Sequence, residues 1–361
     1  MRVVLAAGGT GGHVFPAIAL GEYIRDEKQG EILFIGVNGK MEANEVPKHN
    51  LPFMGVEASG FVGSISNRVK CLLQVEKNIR LIKKKLIEFK PDVVMGFGGY
   101  VSVPVLIAAK ELRIPIMIHE QNSVAGLANK LLGKLSDGNV ICFEHARSFF
   151  PSNKVRFLGS PRAYTLAKAP KDSNILKELG ITSSLPLCLI VMGSLGSESV
   201  NAAMVDVLKH FSENKNIEIV YVTGPKHYED MKNACGTLND NIHLCSFVDQ
   251  QRLLPHLDFM VCRAGATTIA ELTAIGVPSI VIPSPYVAHN HQVLNASEIS
   301  NSNACIMIEE KDLTASGMIG KMLTLSNDDA CKKMLHENAL RFGKINACED
   351  IYEYMLEIIN K

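Results

Sequence analysis

Short, wholly apolar runs alternate along this chain with longer stretches in which apolar residues return every three or four positions. The runs have the length of buried parallel strands, and the stretches between them have the period of helices. In the first half the strand-like runs fall near Val3–Ala7, Ile32–Ile35, Val93–Met95, Ile116–Ile118 and Val140–Cys142. In the second half they fall near Leu187–Met192, Ile217–Val222, Phe259–Cys262 and Ser279–Ile282. This alternation predicts an α/β protein of parallel sheets covered by helices. The second half also restarts like the first: "LCLIVMGSLGSESVN" is a buried strand, a glycine-bearing turn (Gly193, Ser194, Gly196) and a helix from about Ser199. A repeat after roughly 180 residues predicts two Rossmann-like domains whose parallel sheets face each other across a cleft. Turn formers crowd Gly159–Arg162 and Pro170–Asp172, which places the linker there. The expected domains are 1–161, joined by a C-terminal helix at about 343–361, and 162–342.

Polar and glycine clusters sit where the strands end. "LAAGGTGGHVFPA" runs from an apolar strand through Gly8, Gly9, Gly11 and Gly12 to His13, with Pro16 near the first turn of the helix that follows. Free N–H groups at such a helix start favour an anion, although a tight strand–helix turn would use the same glycines. The dinucleotide fingerprint fails at Val14, and no Gly-Lys-Ser/Thr follows for a phosphate loop. "GFGGYVSVP" (Gly96–Pro104) is a second glycine turn, suited either to a bulky ligand or to close helix–strand packing. His119, Glu120, Gln121 and Asn122 follow a third strand; helix capping by Asn122 or Ser123 accounts for one polar side chain, and a ligand-binding cluster accounts for four. After a fourth strand come Arg263, Gly265 and Ala266, then Thr267 and Thr268 as caps and Glu271 about one turn into the helix. That carboxylate either favours the helix dipole or accepts two hydrogen bonds from a ribose diol. His291, Gln292 and Asn295 occupy a further loop–helix junction.

Composition narrows the class. At 361 residues the chain exceeds one ordinary core, and its zero formal charge argues against a nucleic-acid binder. Nine cysteines lie scattered without a CxxC pair, as buried reduced thiols of a cytoplasmic protein do. No signal peptide is expected from the N-terminal residues, and no apolar run approaches the ~20 residues of a spanning helix. No Asp-x-Asp occurs, so a departing nucleoside diphosphate would be met by helix N-termini, loop amides and Arg162 or Arg263 rather than by carboxylate-held Mg²⁺; no protein-bound metal or cofactor is expected.

Taken together, four motifs resemble those of the peptidoglycan N-acetylglucosaminyltransferases that convert lipid I to lipid II. They are Gly8-Gly9-Thr10-Gly11-Gly12-His13, Gly98-Gly99-Tyr100-Val101-Ser102, His119-Glu120-Gln121-Asn122 and Arg263-x-Gly265-Ala266-x-Thr268-x-x-Glu271. The resemblance implies a two-domain GT-B fold with UDP-N-acetylglucosamine on the C-terminal domain and the lipid acceptor on the N-terminal one. It implies inverting transfer to the C4 hydroxyl of the muramyl sugar, with His13 accepting that hydroxyl's proton. It assigns Glu271 to the ribose, Ser194 and Arg162 to the diphosphate, and backbone near Val248 to the uracil. Gln292, Asn122 and Thr10-Gly11-Gly12 would surround the donor sugar, Ala266, Thr267, Thr268, Ile269 and Ala270 would line the same site, and Tyr100, His119 and Glu120 would lie on the acceptor side. The family's Gly-Asn-Pro-x-Arg reads Gly159-Ser160-Pro161-Arg162, one residue short; Met192 and Val103 stand where the family has glycines, and His291 where some members carry glutamine.

The segment 68–90 places Leu72, Val75, Ile79, Ile82, Leu86 and Phe89 at helical spacing among eight basic residues and two glutamates. It reads as a crossover helix with a solvated face. A lipid-linked acceptor adds a second use for those cations, at an anionic bilayer. The resemblance therefore implies a peripheral protein on the cytoplasmic face of the cell membrane, with UDP-N-acetylglucosamine, lipid I, the anionic membrane surface and other cell-wall synthesis proteins as partners. The rival readings are a UDP-N-acetylglucosamine 2-epimerase, a non-catalytic UDP-sugar-binding scaffold and, more distantly, a nicotinamide oxidoreductase.

Overall fold

The computed structural model describes residues 1–57, 65–193 and 196–361, the side chains of 65–72 excepted. It divides into two units, Met1–Thr165 with Asn346–Lys361, and Leu166–Ile345.

Unit 1 alternates strand and helix: β1 (Arg2–Ala7), α1 (Gly11–Asp26), β2 (Glu31–Val37), α2 (Met41–Lys48), β3 (Phe53–Val56), α3 (Ile65–Phe89), β4 (Val93–Gly98), α4 (Ser102–Glu111), β5 (Ile116–Glu120), α5 (Leu127–Leu132), β6 (Gly138–Ile141), β7 (Val155–Phe157) and α6 (Pro161–Lys168). Its sheet is seven-stranded and parallel, in the order β3-β2-β1-β4-β5-β6-β7. Because side chains alternate across a strand, Val3, Leu5 and Ala7 enter one core while Val4 and Ala6 enter the other. Burial on both faces is why these strands read as unbroken apolar runs. The register between β1 and β4 slips after Ala6, so that Ala7 pairs with Gly98 instead of Phe97. This irregularity sets Gly98 beside the start of the glycine knot.

Unit 2 repeats the plan with α7 (Asn174–Glu178), β8 (Leu187–Val191), α8 (Glu198–Asn214), β9 (Glu218–Val222), α9 (Tyr228–Cys235), β10 (Ile242–Cys245), α10 (Gln250–Leu253), β11 (Phe259–Cys262), α11 (Ala266–Ile275), β12 (Ser279–Val281), α12 (His291–Ser300), β13 (Ile306–Met307), α13 (Ala315–Asn327) and α14 (Asp329–Phe342). Its six-stranded parallel sheet runs β10-β9-β8-β11-β12-β13. The last helix, α15 (Ala347–Ile359), returns to unit 1, where Cys348, Ile351, Tyr354, Met355 and Ile358 join the core cluster of β1 and α1.

The structure adds four strands to the nine read from apolar runs: β3, β7, β10 and β13. The segment expected as a turn-rich linker holds α6, and the change of unit falls inside that helix, between Thr165 and Leu166. In both sheets the strand order reverses beside the first strand of the unit, between β1 and β4 and between β8 and β11. The carboxyl ends of those pairs are where open α/β sheets bind ligands.

Candidate functional site

In unit 2 the reversal point is open. A cavity of about 850 Å³ is lined by Val191, Met192 and Gly193 at the end of β8 and by Cys262, Arg263 and Gly265 at the end of β11. Ser197, Glu198 and Ser199 at the start of α8, Thr268 in α11, and Ser284, Tyr286 and Gln292 complete much of the rest. Two helix N-termini, of α8 and α11, thus supply free backbone N–H groups and positive dipole ends to one space. Gly193 has φ +83° and, among the described residues, nothing within 4 Å of where a Cβ would stand. The glycine here leaves room. Gly196, at φ +75°, is tight instead: a Cβ would come within 2.1 Å of the Thr223 carbonyl oxygen.

Arg263 is buried and fully engaged. It pairs with Glu310 (2.6 Å) and donates to Ser197 Oγ (2.7 Å) and the Ile282 carbonyl (3.2 Å), while Ser199 Oγ donates to the other Glu310 oxygen (2.6 Å). It ties the β11 tip to α8 and to the residues after β13, and its charge arrives already balanced. Gln292 Oε1 accepts from the Ser284 N–H (2.9 Å), which fixes the side-chain amide at the cavity wall. Asn295 Nδ2 donates to the Ala264 carbonyl (3.1 Å) and holds the β11–α11 loop.

Helix α11 begins at Ala266 behind Gly265, with no side-chain cap. Thr267 and Thr268, expected as caps, are therefore first-turn residues, and Ala266, Thr267, Thr268, Ile269 and Ala270 are the first five positions of the helix. Glu271 is buried one turn beyond Thr268, on the same helix face. Val248 is buried between β10 and α10, and Gln250, two residues on, lines the cavity. Ser194 lies outside the described residues. Ser197, Ser199, Ser284, Tyr286 and Glu310 belong to the cavity or its walls and carry no motif; only their places after strands or at helix starts could have marked them.

In unit 1 the corresponding place is partly packed: Gly8, Gly98 and Gly99 lie against protein atoms, while Gly9 and Gly12 are exposed. Helix α1 starts inside the glycine knot at Gly11, so Thr10 is its N-cap residue, Gly11 and Gly12 open it, and His13 stands in its first turn. Pro16, expected near the first turn, is the sixth helical residue. The His13 ring lies against β4: a Cβ on Gly98 would sit 3.0 Å from its Nε2 and Cδ2. His13 Nδ1 is 3.1 Å from the Gly8 carbonyl oxygen and 3.3 Å from Thr10 Oγ1. A carbonyl only accepts, so a neutral imidazole that makes this bond carries its proton on Nδ1 and leaves Nε2 bare. The second glycine turn is thus used for packing: Gly98 (φ +109°) makes way for His13, and Gly99 (φ +82°) for the Gly8 carbonyl.

His119, Glu120 and Gln121 are buried rather than displayed. His119 Nε2–H donates to the Gly159 carbonyl (3.0 Å), its ring stacks on Phe97, and Gln121 Nε2 donates to Nδ1 (3.0 Å). Burial lowers its pKa to about 4, against a partial rise from the Gly159 bond and with a further lowering by His13. Glu120 accepts from the Asn122 and Gly126 N–H groups (both 3.0 Å) and from Asn129 Nδ2 (2.9 Å), shaping the loop after β5. Neither Asn122 nor Ser123 caps α5, whose N-cap is Gly126. Tyr100 is exposed on the turn into α4. Arg162, expected to open the C-terminal domain, is the second residue of α6 within unit 1, its guanidinium 5.8 Å from the Phe15 ring centre. Among the described residues no three His, Cys, Asp or Glu side chains converge to hold a metal ion.

Residues 3–139 match the glycosyltransferase family 28 N-terminal domain, and 187–353 the glycosyltransferase family 28 C-terminal domain. A Listeria monocytogenes serovar 1/2a protein, UDP-N-acetylglucosamine–N-acetylmuramyl-(pentapeptide) pyrophosphoryl-undecaprenol N-acetylglucosamine transferase, is 40% identical over 364 residues, spanning 99% of this chain and 100% of that one. The protein of the same name from Bacillus subtilis (strain 168) is 38% identical over 363 residues, 99% of each chain. The crystal structure of Acinetobacter baumannii MurG matches with a TM-score of 0.76 at 25% identity, over 99% of each chain. A UDP-GlcNAc 2-epimerase from Neisseria meningitidis, bound to UDP-GlcNAc, shares the fold (TM-score 0.70, 14% identity, 99% of this chain and 100% of that one). The rival activity is therefore built on the same architecture, and full-length sequence identity is what separates the two. The chain belongs to glycosyltransferase family 28 and, within it, to the UDP-N-acetylglucosamine–N-acetylmuramyl-(pentapeptide) pyrophosphoryl-undecaprenol N-acetylglucosamine transferases.

Proposed function

We propose that this protein transfers N-acetylglucosamine from UDP-N-acetylglucosamine to the muramyl C4 hydroxyl of undecaprenyl-pyrophosphoryl-MurNAc-pentapeptide, the lipid I to lipid II step of peptidoglycan synthesis. The observation that carries this reading is end-to-end identity of 38–40% with transferases of that name. The unit 2 cavity is of nucleotide-sugar size. On this reading the helix starts of α8 and α11 meet the diphosphate, with Ser194 and Arg162 as further contacts; Glu271 takes the ribose, backbone at Val248 the uracil, and Gln292 and Asn122 the sugar. His13, with Nε2 bare, accepts the acceptor hydroxyl's proton as the glycosidic bond forms and UDP leaves from the opposite face, which inverts the anomeric centre. The leaving charge is met by N–H groups rather than by a metal held on carboxylates.

The test is turnover of radiolabelled UDP-N-acetylglucosamine with a lipid I analogue, beside UDP-N-acetylgalactosamine and a no-acceptor control. Label in lipid from the gluco donor alone is the expected result. Epimerised sugar without acceptor would replace this reading with the epimerase.

An acceptor anchored in a bilayer requires the enzyme to work at a membrane surface, and among the described residues no helix is long and apolar enough to cross one. Helix α3 buries Ile82 and Leu86 and packs Ile79 and Phe89 on the core, as its periodicity requires. Its outer face exposes Leu73, Leu81 and Ile87 beside Lys77, Arg80 and Lys84. A second stripe, Leu127, Leu131 and Leu135, stands exposed next to Lys130 and Lys134. Apolar side chains among cations suit an anionic interface, each cation adding about 1 kcal/mol at most. Binding to anionic vesicles is expected to weaken with salt and to fall in Leu81→Ser/Ile87→Ser; equal binding to neutral vesicles at high salt would remove the peripheral-membrane reading.

A further inference from the structure

Beneath the glycine knot lies a carboxyl group that no motif announces. Glu42, in the first turn of α2, is completely buried. One oxygen accepts from the Val37 N–H (3.1 Å), and the other receives a long hydrogen bond (3.4 Å) from the Gly9 N–H. Its place in the first turn of α2 puts the side chain at the positive end of that helix's dipole. The side chain is clamped on two sides: a Cβ on Gly36 would come within 2.7 Å of its Cγ, and one on Gly8 within 2.5 Å of its Oε1.

The Gly9 N–H and the Gly8 carbonyl are the two ends of one peptide unit. At the carboxylate end it donates to Glu42; at the carbonyl end it accepts from His13 Nδ1–H. Bonds at both ends of a peptide polarise it in the same sense, so each strengthens the other. The packing leaves this unit little freedom, since Gly99 lies against the Gly8 carbonyl and Gly98 against the ring it holds. We propose that Glu42 is a positioning residue for His13, acting through the Gly8–Gly9 peptide to keep the imidazole proton on Nδ1 and Nε2 free toward the acceptor. The arrangement does what a carboxylate bound directly to a histidine does, with a peptide group inserted between them. It also explains why position 8 has no room for a side chain: the carboxyl oxygen occupies the place.

This proposal rests on the reading of His13 as the base, and the two are separable by experiment. Glu42→Gln keeps the shape but offers one acceptor oxygen to two N–H groups. In the full-length enzyme it is expected to lower kcat by about 10- to 100-fold, with KM for UDP-N-acetylglucosamine moved less than about threefold. Placed in a His13→Gln background it should cost nothing further, because it acts through the ring; an equal loss in that background would make Glu42 merely structural and overturn the proposal. Nitrogen-15 NMR of histidine-labelled enzyme, with His13 assigned by its absence in His13→Gln, reads the tautomer directly. Wild type should show protonated Nδ1 and bare Nε2, and Glu42→Gln a mixture; an unchanged tautomer overturns the proposal whatever the rates. Gly8→Ala pushes the same carboxyl aside from its other face and should reproduce both effects with Glu42 intact. Should His13→Gln retain turnover, the base reading falls, and the tautomer spectrum still decides whether Glu42 sets the ring.

Discussion

The two units share one topology and differ in how particular glycines are used where the strand order reverses. At the ends of β1 and β4 three glycines allow protein to touch protein: Gly8 meets Glu42, Gly98 meets His13 and Gly99 meets the Gly8 carbonyl, each at or inside 3.0 Å of a Cβ position. At the ends of β8 and β11, among the described residues, Gly193 has nothing within 4 Å and Gly265 only Thr268 Oγ1 at 3.6 Å, and a cavity opens in front of them. A glycine after a parallel strand therefore carries two meanings, a close packing contact, as at Gly8, Gly98, Gly99 and Gly196, or open space, as at Gly9 and Gly193 among the described residues.

The sharpest break of this comparison is at the ring the packing supports. His13→Gln is expected to cut kcat by about 10²- to 10⁴-fold with UDP-N-acetylglucosamine affinity within a few-fold, since the unit 2 cavity is untouched; near-normal turnover would mean that the packed knot holds no base. Next in size is Gly99→Ala, which forces a methyl to 2.3 Å from the Gly8 oxygen at φ +82°. It should cost unit 1 about 2–4 kcal/mol, read as a lower denaturation midpoint. Gly193→Ala, at a similar φ but in open space, should cost only the backbone strain of about 1 kcal/mol. Equal losses from the two would erase the distinction between packed and open glycines.

A pH profile sharpens it further. His119 is held neutral in unit 1 with its pKa near 4, while the unfolded chain takes a proton near 6.5. Between those values the unfolded state binds a proton that the folded state refuses. Stability is therefore whole above about pH 6.5 and declines as pH falls toward 4. The acid limb of thermal denaturation should flatten in His119→Gln; the same slope in both proteins would show that the buried imidazole does not govern it.

The fold was legible wherever a strand is buried on both faces, because there every residue must be apolar. The four strands absent from the sequence reading, β3, β7, β10 and β13, are the edges of the two sheets. Each is short and half-buried, with patterns such as Phe53–Val56 in which only Val56 is inaccessible, so no continuous apolar run betrays it. The glycine turns and polar clusters were legible as places, since they punctuate strand ends. Their uses were less so. His119 and Glu120 look like ligands in sequence, yet their polar atoms are spent inside unit 1 on Gly159 and on the loop before α5. Arg263 looks like a free cation, and its partner Glu310 is set by tertiary contact with no local signal. Glu42 is of the same kind: only the third dimension brings it under Gly9.

The return of α15 to unit 1 sets an order of events during synthesis. Gly138 in β6 has no Cβ because Ile358 and Tyr354 would stand 2.4 and 2.9 Å from it, so the last helix is an inner wall of the first unit. While a ribosome is making residues 346–361, the chain of unit 2 is already complete and the seven-stranded sheet still lacks part of its cover. The unit that is begun first is finished last, and a chain released early would carry an uncovered apolar sheet face at β6.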